Sequence, residues 1–278
     1  MYLDRQPYRD QPGKTVPFYT CSHCNTIYPG PRLDFSEIRV YLDSMEKKIQ
    51  KESVSDYHTY WYDYIPRILK RLKRQFKVKN ALDIGANNGK FCMQLEHLGI
   101  SAIGIEPQET LVNLARTHDL NVVSGTYPDE IPDTIRCSKY DLISMNEVIC
   151  YFSDLKKSLE VASALLSDNG ILFIKSYNGE NDVRRNHNSL FYRPGDYIQA
   201  FPTLSSIQFW LVDSGFEIIE MIPGPDEYFS ILTGTDPEKY RIIQRSFNII
   251  YGNLFLNKET WLNKVDRMII IARKRKNG

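Results

Sequence analysis

Residues Asn80–Phe91 read N-A-L-D-I-G-A-N-N-G-K-F, and the fold can be worked out from this stretch. A largely apolar run over residues 81–84 predicts a short buried strand, and Gly85 and Gly89 mark a loop after it. Helical spacing of apolar residues follows over 90–98. Such a junction points main-chain N–H groups and the positive end of a helix dipole toward the space above the loop. We therefore expect it to bind a polar or anionic small molecule.

Strands and helices alternate in the same way from residue 77 onward. The sequence predicts strands over 80–84, 102–106, 120–124, 140–145, 170–176, 216–222 and 266–273, and helices over about 89–98, 108–117, 154–166 and 203–214. Alternation of this kind is typical of a parallel sheet that is covered by helices on both faces. The predicted fold class is therefore α/β, a doubly wound and mostly parallel seven-stranded sheet.

Two common nucleotide-binding motifs do not fit the loop. The dinucleotide motif G-x-G-x-x-G, counted from Gly85, would need glycine where Asn87 and Lys90 stand. The phosphate-binding motif G-x-x-x-x-G-K-[ST] fails because Phe91 follows Lys90 and because the glycines are too close together. What remains is an acidic residue before the loop, Asp83, and another at the end of the next predicted strand, Glu106.

In these features the chain resembles the class I S-adenosylmethionine-dependent methyltransferases, whose first loop reads roughly [DE]-x-G-x-G-x-G. Asn87 takes the place of the middle glycine, and asparagine adopts positive φ more readily than most residues. The resemblance implies the strand order 3-2-1-4-5-7-6 and the cofactor S-adenosyl-L-methionine. It also implies cofactor-binding positions at Asp83, Gly85, Ala86, Asn87, Gly89, Glu106, Pro107, Gly125, Thr126 and Asn146, with Glu106 on the ribose hydroxyls.

The acceptor side is predicted from the segments that follow the fourth and fifth strands of this domain. Many relatives carry a Glu-His pair where this chain has Cys150 and Tyr151. Methyl transfer needs a general base only if the acceptor loses a proton early, and the candidates for that role are His187 and Tyr151. His187 lies in an insertion at about 178–202, which we expect to line the acceptor pocket. Its arginines either face solvent or bind an acidic acceptor.

The chain is expected to divide into an N-terminal lead, residues 1–76, and a Rossmann-like domain, residues 77–278. The lead is predicted to be irregular at first and then to form helices over 33–77. Cys21 and Cys24 are spaced as in half of a zinc site, and the segment resembles the zinc-ribbon lead of some polysaccharide-cluster and natural-product methyltransferases. An earlier cysteine pair is missing here, so we expect no metal.

Composition bears on the acceptor. The net charge of +1 gives no general attraction to nucleic acid or to an anionic membrane, and no apolar run is long enough to span a bilayer. We therefore expect a cytoplasmic enzyme with a small-molecule or saccharide acceptor. Two alternatives remain: methylation of tRNA or another RNA, suggested by the basic run Lys70–Arg74, and an inactive binding protein that keeps the fold.

Overall fold

A seven-stranded sheet forms the centre of the computed structural model, which describes residues 2–7, 15–30, 64–179, 199–224 and 267–275. The described strands are β1 Tyr2–Pro7, β2 Thr15–Thr20, β3 Ile27–Pro29, β4 Asn80–Ile84, β5 Ser101–Glu106, β6 Val122–Ser124, β7 Tyr140–Asn146, β8 Leu166–Tyr177, β9 Phe216–Gly224 and β10 Arg267–Lys274. The described helices are α1 Tyr64–Phe76, α2 Lys90–His97, α3 Glu109–Arg116, α4 Asp133–Arg136, α5 Leu155–Leu165 and α6 Leu204–Asp213, with a 3₁₀ turn at Ile149–Tyr151.

The strand order in the large sheet is β6-β5-β4-β7-β8-β10-β9, which confirms the predicted order. Strands β4 to β8 run parallel to their neighbours, whereas β10 is antiparallel to both β8 and β9. Register brings Asp83 beside Ser144, and Asn146 beside Lys175. The carboxyl ends of β4, β5, β7 and β8 therefore meet at one edge, where an open α/β sheet binds its ligand.

Helices cover both faces of the sheet, so the strands are apolar on both sides. Leu82 on β4 belongs to one core together with Leu159 of α5, and its neighbour Ala81 belongs to the other core with Leu69 of α1 and Phe91 of α2. Successive strand residues point to opposite faces. Burial on both faces explains why these strands read as continuous apolar runs instead of alternating patterns.

The N-terminal segment differs from its prediction. Residues predicted to be irregular form a three-stranded antiparallel sheet in the order β1-β2-β3. Pro17 lies in the central strand, where the pairing with β1 shifts register between Leu3 and Arg5. A bulge is one of the few places where a sheet accepts proline, and the prolines of this segment concealed the strands from pattern reading.

Strand β3 of the small sheet contacts the end of the predicted insertion. Ile27 and Phe201 exchange two main-chain hydrogen bonds, of 3.1 and 2.6 Å, and both are buried with Phe18 and Cys150. Of the predicted leading helices only α1 falls within the described residues, and it packs into the core of the large sheet. The division at residue 76 stays a prediction.

No helix within the described residues is long and apolar enough to cross a membrane.

Candidate cofactor and acceptor site

The loop between β4 and α2 has the backbone conformation that its sequence predicts. The φ angles of Gly85, Asn87 and Gly89 are 71°, 52° and 80°, all in the left-handed region. A Cβ at Gly85 would lie 2.7 Å from Val148 Cγ2, and one at Gly89 would lie 2.7 Å from Leu120 Cδ1. Both glycines are therefore required by conformation and by space, whereas Asn87 adopts a conformation that asparagine tolerates.

The predicted cradle of main-chain N–H groups is not found in this loop. Every N–H group of residues 85–89 already donates a hydrogen bond within the protein. The acceptors are Ile105 O for Gly85 and Ala86 at 2.9 and 3.1 Å, Glu106 Oε2 for Asn87 at 2.9 Å, Asn87 Oδ1 for Asn88 at 2.7 Å, and Ala86 O for Gly89 at 2.9 Å. An anion would find these donors occupied, so of the polar or anionic ligand that the sequence predicts, the loop geometry favours a polar one.

Asp83 lies directly below the loop and is only 2% exposed. The Ser144 hydroxyl donates to its Oδ1 at 2.6 Å, and no lysine or arginine of the described residues pairs with it. Burial, together with the nearby charge of Glu106, raises the pKa of Asp83 to about 7. The site therefore holds a buried carboxylate without a cation of its own.

Glu106 ends the neighbouring strand and is also buried. Its Oε2 accepts the N–H of Asn87 at 2.9 Å, and its Oε1 accepts the N–H of Gln108 at 3.2 Å. Burial raises the pKa of Glu106, and the two N–H donors partly oppose that rise. Each carboxylate oxygen has a second lone pair, so the group can still accept two hydrogen bonds from adjacent hydroxyls.

The segment after β6 lies against the same edge. Gly125 donates its N–H to Glu106 O at 3.1 Å, and a Cβ at Gly125 would lie 2.7 Å from Glu130 O. Thr126 donates its N–H to Glu130 O at 3.1 Å and accepts the Glu130 N–H at 2.6 Å. Both main-chain groups of Thr126 are thus engaged, and Pro107 is exposed after Glu106.

Asn146 ends β7 on the other side of the loop. Its Oδ1 is buried and accepts no hydrogen bond from the described residues. A buried acceptor without a donor costs roughly 1–3 kcal/mol, so such an atom requires an explanation. A ligand N–H group at this position would satisfy it.

A charged network beside Asn146 was not predicted from the sequence. Glu147 Oε1 accepts from Lys175 Nζ at 2.7 Å and from Arg267 Nε at 3.2 Å. Lys175 and Arg267 are 4% and 1% exposed, and the guanidinium carbon of Arg267 lies 3.5 Å from the centroid of the Tyr177 ring. Burial alone would raise the pKa of Glu147, but the two cations outweigh it and hold that pKa at about 2.

The only sequence signal for this network is Lys175 at the end of the apolar run Ile171–Ile174. Glu147 has φ 58°, a conformation that is uncommon for residues with a side chain and that often occurs at functional sites. Because its pKa is about 2, Glu147 is ionised at neutral pH and is a poor proton acceptor.

The two predicted catalytic residues have different outcomes. His187 lies outside the described residues, as do residues 180–198 of the predicted insertion. Tyr151 packs against a small apolar cluster of Phe18, Ile27, Cys150 and Phe201. Its catalytic role stays a prediction. The described ends of the insertion are anchored at this edge, since the N–H groups of Gln199 and Ala200 both donate to Cys150 O.

Two further features of the sequence are possible metal ligands and the basic run Lys70–Arg74. No group of three or more metal-ligating side chains lies close together in the part of the chain that the structure describes. Within the basic run, Arg71 pairs with Glu220 at 2.5 Å and Lys73 donates to Leu98 O and Gly99 O. The other cations on α1, Arg67, Lys70 and Arg74, are exposed.

Comparison with known proteins identifies the family. A methyltransferase-domain model matches residues 55–221, more than half of the chain. A ubiquinone biosynthesis O-methyltransferase of Chelativorans is 29% identical over 111 residues, which are 39% of this chain and 44% of that protein. A tRNA U34 carboxymethyltransferase of Campylobacter jejuni is 28% identical over 176 residues, which are 59% of this chain and 58% of that protein. Each of these two matches thus spans less than two thirds of the relative's length.

Solved structures agree on the fold. A methyltransferase from Thermotoga maritima, described as a possible histamine N-methyltransferase, superimposes with a TM-score of 0.57 at 17% identity and covers 86% of this chain and 100% of its own. At that identity the likeness shows the fold alone. With the family match, the strand order and the glycine loop in agreement, the chain belongs to the family of S-adenosylmethionine-dependent methyltransferases.

Proposed function

We propose that this protein transfers the methyl group of S-adenosyl-L-methionine to a small hydroxylated molecule or a glycan precursor. The observation that carries the cofactor assignment is the pair of buried carboxylates, Asp83 and Glu106, which pair with no cation among the described residues. Burying such charge is costly unless a ligand neutralises or hydrogen-bonds it. S-adenosyl-L-methionine carries an ammonium group, a sulfonium and a ribose with two hydroxyls.

The residues present fit this cofactor. Asp83 would stabilise the ammonium group, and Asn146 Oδ1 would accept one of its N–H bonds. Glu106 would accept the ribose hydroxyls on the lone pairs that Asn87 and Gln108 leave available. Gly125 and Thr126 would lie along the adenine. The occupied N–H groups of the loop suit a cationic ligand better than a phosphate.

The chemistry then asks little of the protein. The bound cofactor supplies an activated methyl group on sulfur, and the chain aligns the acceptor and keeps water out. Asp83, Asn146 and Glu106 hold the two ends of the cofactor in place. Glu147 is paired with Lys175 and Arg267 and does not act as the base at neutral pH. Tyr151 and His187 remain the candidates for moving an acceptor proton.

Calorimetry with S-adenosylhomocysteine and S-adenosylmethionine tests the cofactor assignment. We expect both to bind the wild-type chain, and Asp83→Asn to weaken binding by about 10- to 100-fold, the loss of one charge-assisted hydrogen bond. Asp168→Asn, an exposed carboxylate near the start of β8 and away from the carboxyl ends of the strands, should bind as the wild type does. No binding heat in the folded wild-type chain would instead support the inactive binding protein.

The acceptor class is tested with radiolabelled cofactor and two probes, a catechol-type phenol series and unmodified tRNA. A small-molecule acceptor is supported by the Chelativorans relative, whose name assigns it O-methylation in ubiquinone biosynthesis. We expect label in the phenol series and none in tRNA. Label in tRNA alone would overturn the proposed acceptor class.

One observation favours RNA as the second candidate. Arg67, Lys70 and Arg74 are all exposed and follow at spacings of three and four, so they share one face of α1. The tRNA-modifying relative points the same way. If this face binds RNA, tRNA affinity should fall steeply with salt, and Lys70→Ala with Arg74→Ala should flatten that salt dependence.

A further inference from the structure

The turn between β2 and β3 holds Cys21 and Cys24 in a fixed geometry. Cys21 donates its N–H to Thr26 O at 2.9 Å, and Asn25 donates its N–H to Cys21 O at 2.9 Å. Asn25 has φ 61°, so the chain reverses sharply at this point. The two cysteines therefore lie three residues apart in one tight, hydrogen-bonded turn, and their thiols interact.

The two thiols have different surroundings. Cys21 is partly exposed, and the main-chain N–H groups of Cys24 and His23, together with the Cys24 thiol, lower the pKa of the Cys21 thiol. Cys24 is 5% exposed, and its Sγ lies 3.1 Å from Thr26 Oγ1. This is an accessible thiol beside a buried one that can react with it, the arrangement found at redox-sensitive sites.

The other three cysteines lack this arrangement. Cys92 and Cys150 are buried, and burial raises the pKa of both thiols. Cys137 is exposed but has no second cysteine near it in sequence. The turn is therefore the place among the described residues where two cysteines stand together.

We propose that Cys21 and Cys24 form a reversible disulfide with a low-molecular-weight disulfide such as glutathione disulfide as the oxidant. The Cys21 thiolate attacks one sulfur of glutathione disulfide, whose S–S bond breaks and releases one glutathione thiolate. Cys24 then loses its proton to solvent and attacks the Cys21 sulfur, which releases the second glutathione. The two cysteines lose two electrons in total, and glutathione disulfide gains them.

The turn contacts the segment that anchors the acceptor side. Asn25 O accepts from Thr203 Oγ1 at 3.2 Å, and the His23 ring lies edge-on to Phe209 with centroids 4.8 Å apart. Ile27 pairs with Phe201 through two main-chain hydrogen bonds. Closing the disulfide fixes the turn from which these contacts arise, so it should tighten the segment at residues 199–203.

The test uses the full chain, first reduced and then equilibrated with mixtures of reduced and oxidised glutathione. Intact mass should fall by two hydrogen masses, and peptide mapping should place the bond between Cys21 and Cys24. Cys24→Ser, which keeps a small polar group beside Thr26, should stop at the mixed disulfide and gain the mass of one glutathione on Cys21. Cys137→Ser should behave as the wild type. Thermal melting of each variant checks that it folds.

Measurements of alkylation rates and of metal content can contradict the proposed disulfide. In the reduced chain Cys21 should alkylate roughly tenfold faster than Cys137, since the thiolate is the reactive form. Equal rates, the absence of the Cys21–Cys24 bond in oxidising mixtures, or stoichiometric zinc that blocks alkylation would each overturn it. Hydrogen exchange of the Phe201 amide should slow in the oxidised chain, and an unchanged rate would exclude the coupling to residues 199–203.

Discussion

Asp83 and Glu147 are carboxylates at the ends of two adjacent strands, and their pKa values are shifted in opposite directions. Asp83 is buried with one hydroxyl donor and no cation among the described residues, and its pKa rises to about 7. Glu147 is 31% exposed, receives hydrogen bonds from two buried cations, and has a pKa of about 2. The sign of each pKa shift follows from the cations nearby, not from burial alone.

The difference separates a region built to receive a ligand from a region that is complete without one. At Asp83 and Glu106 burial disfavours the ionised carboxylates, and a bound cation would stabilise them. At Glu147 the charge is already neutralised by Lys175 and Arg267, and this network joins the end of β7 to β8 and β10. The first region should govern cofactor affinity, and the second should govern stability.

The largest effect is expected for Glu147→Ala. This change leaves Lys175 and Arg267 buried side by side without their shared anion, which should lower the free energy of unfolding by about 3–5 kcal/mol. Glu147→Gln keeps an oxygen for both donors and should cost less. Urea denaturation at pH 7 measures both. The comparison fails if Ala costs no more than an exposed residue, such as Glu109→Ala.

Acid titration sharpens the same prediction. The depressed pKa of Glu147 gives stability that is present above its ordinary pKa and is lost as pH falls through about 2. Because Glu147 is partly exposed, we reduce the expected contribution of this pKa shift to the free energy of unfolding to about 2 kcal/mol. The Glu147→Gln variant should not show this loss of stability when the pH is lowered toward 2.

Asp83→Asn should raise the free energy of unfolding of the cofactor-free chain, whereas Glu147→Ala should lower it. Because the folded pKa of about 7 lies above the ordinary 3.8, the folded state binds more protons between these values, and stability falls as pH rises through that window. Asparagine removes that fall and still accepts from Ser144. We expect a gain of about 2–3 kcal/mol at pH 8 and little gain at pH 4.

Urea denaturation at the two pH values measures this prediction, with Asp168→Asn as the exposed control. The same Asp83→Asn protein should lose cofactor affinity, so stability and binding move apart. A variant that is destabilised at pH 8 would show that Asp83 is already neutralised in the free protein.

The two regions also differ in how far their sequence revealed them. Asp83, Gly85 and Glu106 lie within one strand-loop-helix-strand unit, so one local stretch carries the resemblance that implies their roles. Glu147 and Arg267 are 120 residues apart, and only the insertion of β10 beside β8 brings them together. Long-range pairing of this kind leaves no periodic signal.

Two smaller misses have local physical reasons. The N–H groups of the loop were expected to face a ligand, but Ile105 O and Glu106 on the adjacent strand accept them, which the loop sequence alone does not indicate. The N-terminal strands were missed because Pro7, Pro17 and Pro29 interrupt the alternation that identifies strands. The order of the large sheet was predicted from the resemblance to the methyltransferase family, and the clear alternation of strands and helices supplied the parallel sheet.

Glu106→Gln should weaken the cofactor region less than Asp83→Asn does. The amide presents one oxygen in place of two, and its NH₂ group would face the N–H of either Asn87 or Gln108. We expect S-adenosylhomocysteine affinity to fall by about tenfold, near 1.4 kcal/mol. Calorimetry measures it, with the exposed Glu109→Gln as the matched control. Unchanged affinity would remove Glu106 from the ribose site.

The smallest effect is expected at Tyr177, whose ring lies under the Arg267 guanidinium at 3.5 Å. Tyr177→Leu removes the aromatic face and should lower the free energy of unfolding by about 1 kcal/mol, whereas Tyr177→Phe keeps the face and should cost less than about half of that. Urea denaturation of both variants measures the difference. If Phe costs as much as Leu, the hydroxyl and not the ring of Tyr177 supports this region.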